Sequence, residues 1–147
     1  MDIRSIGLTI AALVGFSFTI GTSSSAARSV AGDQCAAAAT TVALVACADA
    51  EYRRADQEVN RLYKAILGKL DARATRLKQP AGAPGGLRAR FVFSQQSWVA
   101  FRTSDCNVMA SLYEGGTMAP LARLNCLTSR TSARVADLTT FLEAVSG

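Results

Sequence analysis

Histidine is missing from all 147 residues of this sequence. Its side chain has the ordinary pKa closest to neutrality, and most nucleophiles of acyl transfer depend on it as their base. The absence therefore excludes Ser-His-Asp and Cys-His catalytic machinery, although paired carboxylates and Ser-Lys systems remain open. The sequence also has no Cys-x-x-Cys pair. Four scattered cysteines without histidine do not favour a zinc site, so no metal or other cofactor is expected.

Charged residues are scarce at the N-terminus, where none occurs between Arg4 and Arg28. Residues 6–20 are almost wholly apolar, and small residues fill positions 21–27. This order is typical of a secretory signal peptide, and the apolar run is shorter than a membrane-spanning helix requires. Residues 1–27 are therefore predicted to be a signal peptide that is cleaved after Ala27. A retained membrane anchor is the alternative, which the flanking residues do not favour.

Removal of the signal peptide leaves residues 28–147, which is enough for one small domain. All four cysteines remain in it, and an even number of cysteines in an exported domain of this size predicts two disulfides. The sequence does not choose among the three possible pairings. The cysteines are Cys35, Cys47, Cys106 and Cys126.

Glycine and proline are absent from residues 41–67 and concentrated in residues 78–86, which read KQPAGAPGG. Apolar residues recur every three or four positions from Thr41 onward, which predicts a helix that ends by about Leu77. The chain is too short for an interdomain linker, so residues 78–86 are predicted to be the loop of an antiparallel helical hairpin.

Two further helices are predicted after this loop. The second runs over residues 87–112, and the third runs from Met118 almost to the C-terminus, with Pro120 suited to its first turn. No alternation of apolar and polar residues is long enough to predict a β-strand instead of these helices. The predicted fold is all-α: a small three-helix antiparallel bundle with two disulfides.

Polar residues interrupt the stripe of the second helix that should face the bundle. Buried polar groups cost free energy unless they are hydrogen-bonded or paired, so these residues need partners. The favoured interpretation is a structural network in which Arg102 pairs with Asp56 or Asp105. The alternative is a partner-binding patch, because Trp and Arg are common anchors of interfaces. The predicted network consists of Asp56, Asn60, Tyr63, Gln95, Trp98 and Arg102.

The turn between the second and third helices is the candidate partner-binding segment. Loops held between rigid elements carry function more often than core positions do. The alternative is that its two glycines merely turn the chain. The residues are Tyr113, Glu114, Gly115, Gly116 and Thr117.

The net charge of +5 suggests affinity for anionic surfaces, including membranes and cell-wall polymers. No basic run is dense enough to favour nucleic acid, and membrane contact is otherwise expected only through the signal peptide before cleavage. An enzyme of the glycosidase type would need two convergent carboxylates. Asp56, Asp105 and Glu114 are the candidates, and the first two have a simpler structural role.

Four motifs occur in order between the cysteines: AD-x-E-x-N-x-x-Y from Ala55, Q-x-x-W-x-x-x-R from Gln95, Y-x-G-G from Tyr113, and Cys126-Leu127. With them, the chain resembles the LprI-type lysozyme inhibitor family from about residue 35 to residue 138. The resemblance implies a periplasmic or secreted protein that is not an enzyme and that protects the cell wall by binding a lysozyme or another lytic enzyme. A periplasmic envelope binding or stress protein with a different target is the alternative.

Overall fold

Three α-helices form the bundle, as the sequence predicts: α1 (Thr41–Arg76), α2 (Leu87–Ser111) and α3 (Ala119–Ser146). The computed structural model describes residue 35, residues 37–80 and residues 82–147, and no strand occurs among them. The predicted all-α fold is thus confirmed, and the predicted signal peptide lies outside the described residues. No helix in these ranges is both long and apolar enough to cross a membrane.

The ends of α1 are closed by local hydrogen bonds. At its start, the Thr40 hydroxyl accepts a hydrogen bond from the Ala43 N–H at 3.2 Å, which satisfies one of the free donors of the first turn. At its end, the Lys78 N–H donates to the Thr75 carbonyl and the Gln79 N–H to the Ala74 carbonyl. This is the Schellman arrangement, in which glycine usually occupies the left-handed position. Here that position is Lys78, with φ of 53°.

The hydrophobic core lies between α1 and α3, and α2 packs mainly on α3. Tyr63, Phe91 and Phe141 stack in series, with ring centroids 5.6 and 5.3 Å apart. Because α3 contacts both other helices while α1 and α2 meet only sparsely, much of the outer surface of α2 stays uncovered. The buried cluster consists of Val59, Leu62, Ile66, Leu70, Phe91 and Leu138.

Both predicted disulfides form, and the structure selects one pairing. Cys35 bonds to Cys47 and Cys106 to Cys126, with Cα atoms 5.7 and 5.4 Å apart. The first ties the segment before α1 to its second turn, and the second joins the end of α2 to the start of α3. Since the helices are antiparallel, both lie at one end of the bundle, called here the disulfide end. The opposite end, formed by residues 64–90, is called the loop end.

Candidate partner-binding site

One arginine connects all three helices. Arg102 of α2 is only 7% exposed, and its Nη1 donates to Asp56 Oδ1 of α1 at 2.8 Å and to Thr131 Oγ1 of α3 at 3.1 Å. Its guanidinium carbon lies 4.7 Å from the Trp98 ring centroid and 5.5 Å from that of Tyr52. Cations over aromatic faces are attracted by the ring quadrupole, most strongly when they are desolvated. The side chain is therefore held by charge, hydrogen bonds and two rings.

A second arginine reaches the same tryptophan. The Arg134 guanidinium carbon lies 5.6 Å from the Trp98 ring centroid. Its Nε and Nη2 both donate to Gln95 Oε1, at 3.1 and 3.0 Å. Gln95 is 8% exposed, so its carbonyl depends on Arg134 for a partner. The two arginines thus fix the register of α2 against α1 and α3.

The other residues of the predicted network occupy different surroundings. Asn60 Nδ2 donates to the Asp56 backbone carbonyl at 2.8 Å and to Asp56 Oδ2 at 3.0 Å. Tyr63 instead stacks on Phe91 in the aromatic core, and Asp105 pairs with Arg130 rather than with Arg102. Because Gln95 and Arg102 leave little surface for a partner, the geometry supports a structural role for this set.

Three members of the network were missed by sequence reasoning: Tyr52, Thr131 and Arg134. Thr131 and Arg134 lie on the same stripe of α3 as the buried Leu127 and Leu138. A polar residue on a core-facing stripe needs a buried partner, and that signal was available. Burial raises the pKa of the Tyr52 phenol above its ordinary 10.0, and the positive charge of Arg102 opposes this shift.

The candidate loop, residues 113–117, is exposed and well connected by backbone hydrogen bonds. The Tyr113 N–H donates to the Ala110 carbonyl and the Gly116 N–H to the Tyr113 carbonyl, both at 2.9 Å. Gly115 has φ of 80°, which favours glycine, and a Cβ on Gly116 would lie 3.2 Å from the Tyr113 carbonyl oxygen. Both glycines therefore serve the turn, and Glu114 is displayed beside them.

Exposed apolar side chains surround this loop. They fall in a single stretch of eleven residues, from the last turn of α2 to the residue before α3. A group of neighbouring exposed apolar side chains commonly marks a site of protein–protein contact. This apolar patch consists of Val108, Met109, Leu112, Tyr113 and Met118.

The segment that carries the apolar patch is nearly neutral. Residues 99–126 contain two arginines, Arg102 and Arg123, and two acids, Asp105 and Glu114. Arg102 is buried, and Arg123 Nε donates to the Asn107 side-chain carbonyl at 2.9 Å. Glu114 is therefore the charged group that the loop itself presents.

Comparison with known proteins identifies the family. The model of the family described as Lysozyme inhibitor LprI matches residues 32–138. The chain belongs to this family. The resemblance inferred from the motifs is confirmed, and the match includes the arginine network, the loop and both disulfides. An uncharacterized protein of Rhizobium meliloti (strain 1021) is similar to the chain, with 29% identity over 110 residues that cover 75% of this chain and 79% of the relative. No solved structure matches.

The family motifs fall in two different parts of the molecule. The motif residues Asp56, Gln95, Trp98 and Arg102 lie in the bundle interior or at its margin, whereas the Y-x-G-G motif lies at the surface. The first group suits the stability of a shared fold. The loop and the apolar patch around it are exposed and form the candidate partner-binding site.

Proposed function

We propose that this chain is an exported inhibitor that binds a lysozyme or another cell-wall lytic enzyme through its disulfide end. In this proposal residues 1–27 are removed as a signal peptide, and residues 28–147 act in the periplasm or outside the cell. The observation that carries the proposal is the apolar patch around residues 113–117, in a chain of a lysozyme inhibitor family.

The construction of the disulfide end suits tight binding. The loop is held by its own backbone hydrogen bonds and by the Cys106–Cys126 disulfide, which joins the two helices beside it. A preordered segment loses less conformational entropy on association than a flexible one, so more of the contact energy appears as affinity. The apolar patch supplies that contact energy, because burying apolar surface is the main favourable term in protein association.

The distribution of charge removes an objection to a basic lysozyme as the target. A protein of net charge +5 is expected to repel a basic partner at long range. The positive charge, however, is concentrated in residues 64–90, away from the apolar patch. Charges separated by more than a Debye length of about 8 Å at physiological salt are largely screened. The disulfide end therefore meets a basic partner as a nearly neutral surface that presents Glu114.

The carboxylates support a binding protein rather than an enzyme. Asp56 is held by Arg102 and Asp105 by Arg130, so two of the three candidate acids for glycoside hydrolysis are engaged in ion pairs. The third, Glu114, lies on the loop after α2. We propose no catalytic residue and no cofactor, and a protein partner accounts for the exposed surface.

The proposal predicts stoichiometric inhibition. The exported protein is titrated against a panel of lysozymes and lytic transglycosylases, and their hydrolysis of cell-wall suspensions is measured. Activity of at least one enzyme should fall to a plateau near equimolar inhibitor and recover after dissociation, since binding is reversible. Progressive loss of substrate or of the target protein would show a catalyst instead. If every enzyme in the panel kept full activity, inhibition would be excluded for that panel, and the alternative of an envelope binding protein with another target would be favoured.

Replacement of Leu112 by serine should weaken that inhibition about tenfold, because truncation of a residue that anchors the centre of an interface costs more than about 1 kcal/mol. Leu112 is 70% exposed in the apolar patch, so serine should leave the fold intact. Phe93→Ser is the matched control, since Phe93 is also 70% exposed on α2 but lies towards the loop end. The inhibition constants of both variants are measured. If Leu112→Ser and Phe93→Ser weaken inhibition equally, the apolar patch is not part of the contact.

A further inference from the structure

The positive charge of the chain is concentrated at one end of the bundle. Residues 64–90 contain seven lysines or arginines and a single acid, Asp71, so this segment carries a net charge of +6. The whole chain carries +5, so the remaining residues together carry −1. The last turns of α1, the following loop and the start of α2 make up this segment, and the fold brings them together at the loop end.

Few acids oppose these cations. Asp71 Oδ1 lies 2.8 Å from Arg88 Nε, so the acid of the segment is engaged by one of its own arginines. Two further acids lie towards this end on α3: Asp137, which lines a pocket with Leu87 and Arg90, and Glu143 on the last turns of the helix. The other cations of residues 64–90 are exposed side chains: Lys64, Lys69, Arg73, Arg76, Lys78 and Arg90.

Exposed apolar side chains lie among the cations. Leu77, which follows α1, is 54% exposed, and Leu87, the first residue of α2, is 41% exposed. The loop between them adds exposed Pro80 and Pro84 and contains no acid. Basic residues around exposed apolar side chains are the composition of surfaces that lie in the headgroup region of a membrane. A soluble polyanion would use the cations and leave the leucines in water.

We infer that the loop end docks on an anionic lipid surface. Charge complementarity selects negatively charged headgroups, and Leu77 makes the apolar contact beneath them. Lys78 carries an exposed cation just after the end of α1, in a left-handed conformation where glycine is the usual residue.

Docking at this end gives the molecule an orientation. The 36 residues of α1 span about 54 Å, several Debye lengths at physiological salt. The disulfide end then points away from the lipid, and its apolar patch stays free to meet a partner. This inference goes beyond the proposed inhibition and does not depend on it.

The test measures co-sedimentation of the exported protein with vesicles of phosphatidylglycerol and phosphatidylcholine, and with vesicles of phosphatidylcholine alone. Binding is expected to the anionic vesicles only and should weaken as salt is raised. A triple variant, Lys69→Gln, Arg73→Gln and Arg76→Gln, should bind on the order of 100-fold more weakly, because each cation near an anionic surface contributes about a factor of five.

The matched control removes three cations from the same helix nearer the disulfide end: Arg53→Gln, Arg54→Gln and Arg61→Gln. It has the same net charge as the first variant and should bind like the parent chain. Equal weakening by both triple variants would mean that net charge, rather than the loop end, governs binding, and would overturn the inference. Circular dichroism checks that both variants keep the helical content of the parent.

A single substitution distinguishes lipid docking from a polyanion site. Leu77→Gln keeps every charge and should weaken vesicle binding about fivefold, since it removes a half-exposed leucine from the lipid contact. Its binding to soluble heparin should equal that of the parent. If Leu77→Gln binds vesicles as the parent does and heparin displaces both, the loop end is a polyanion site. Absence of binding to anionic vesicles would overturn the inference directly.

Discussion

Replacement of Arg102 by alanine should lower the free energy of unfolding by about 3 kcal/mol, measured by urea denaturation followed by circular dichroism. The substitution leaves the Asp56 carboxylate and the Thr131 hydroxyl without their partner and empties the space between Tyr52 and Trp98. Breaking a buried ion pair costs about 3–5 kcal/mol. The low end applies here because the Asp56 side chain is 34% exposed and water can partly solvate it.

Arg130→Ala is the matched control for this effect. Arg130 also pairs with an acid across helices, Asp105, but its side chain is 52% exposed. Exposed pairs contribute about 0–1 kcal/mol, so this variant should unfold nearly as the parent does. The folded fraction of Arg102→Ala should inhibit the target normally. If that variant were as stable as the parent and had lost inhibition, Arg102 would belong to the partner-binding site.

The helices could be predicted from sequence because their signals are local. Apolar spacing marked α1, and the proline- and glycine-rich residues 78–86 ended it within a residue or two of the observed bound at Arg76. The even number of cysteines indicated two disulfides, but the pairing depends on which residues the fold brings together. Antiparallel packing of α2 and α3 places Cys106 opposite Cys126, and a periodic pattern alone does not show this.

The partners of Arg102 depend on how the helices pack. Its spacing on α2 indicated an inward side chain, and Asp56 was one of two candidate acids. Asp105 lies three residues after Arg102 on the same helix, yet its carboxylate reaches Arg130 of α3. The direction in which each side chain leaves its helix, together with the central position of α3, decides between them. Spacing in sequence does not contain that information.

The apolar patch could not be predicted from helical periodicity. Between Val92 and Leu112 the charged residues of α2 are Arg102 and Asp105, so its outer face has no charge to mark it as solvated. A helix that is apolar on more than one face is usually buried on more than one side. The fold covers only the side facing α3 and a little of the side facing α1, which leaves Val108 and Leu112 exposed.

Net charge alone does not show where the charges of the chain lie. A value of +5 predicts repulsion of a basic protein at long range. The fold shows that the cations of residues 64–90 gather at the loop end, while the loop of residues 113–117 lies at the other end. The same charge that appeared to oppose binding of a basic lysozyme instead distinguishes the two ends of the molecule.

Removal of the Cys106–Cys126 disulfide by replacing both cysteines with alanine should lower the free energy of unfolding by about 3 kcal/mol. The bond closes a segment of 20 residues, and the chain-entropy model gives this magnitude for a loop of that length. Alanine is the right replacement because Cys106 is fully buried, and serine would bury a hydroxyl there. Inhibition should weaken as well, because the freed loop must be ordered again on binding.

The Cys35–Cys47 disulfide provides the control that separates stability from binding. It closes a segment of 12 residues, so the chain-entropy model again predicts a loss of about 3 kcal/mol when both cysteines become alanine. This bond ties the segment before α1 and does not join the helices that flank the loop of residues 113–117. Below the unfolding transition, the Cys35→Ala/Cys47→Ala variant should therefore inhibit as the parent does, while Cys106→Ala/Cys126→Ala inhibits less. If both folded variants inhibited as the parent does, the loop would not need the Cys106–Cys126 bond to keep its binding conformation. If both lost inhibition equally, the contact would lie elsewhere on the disulfide end.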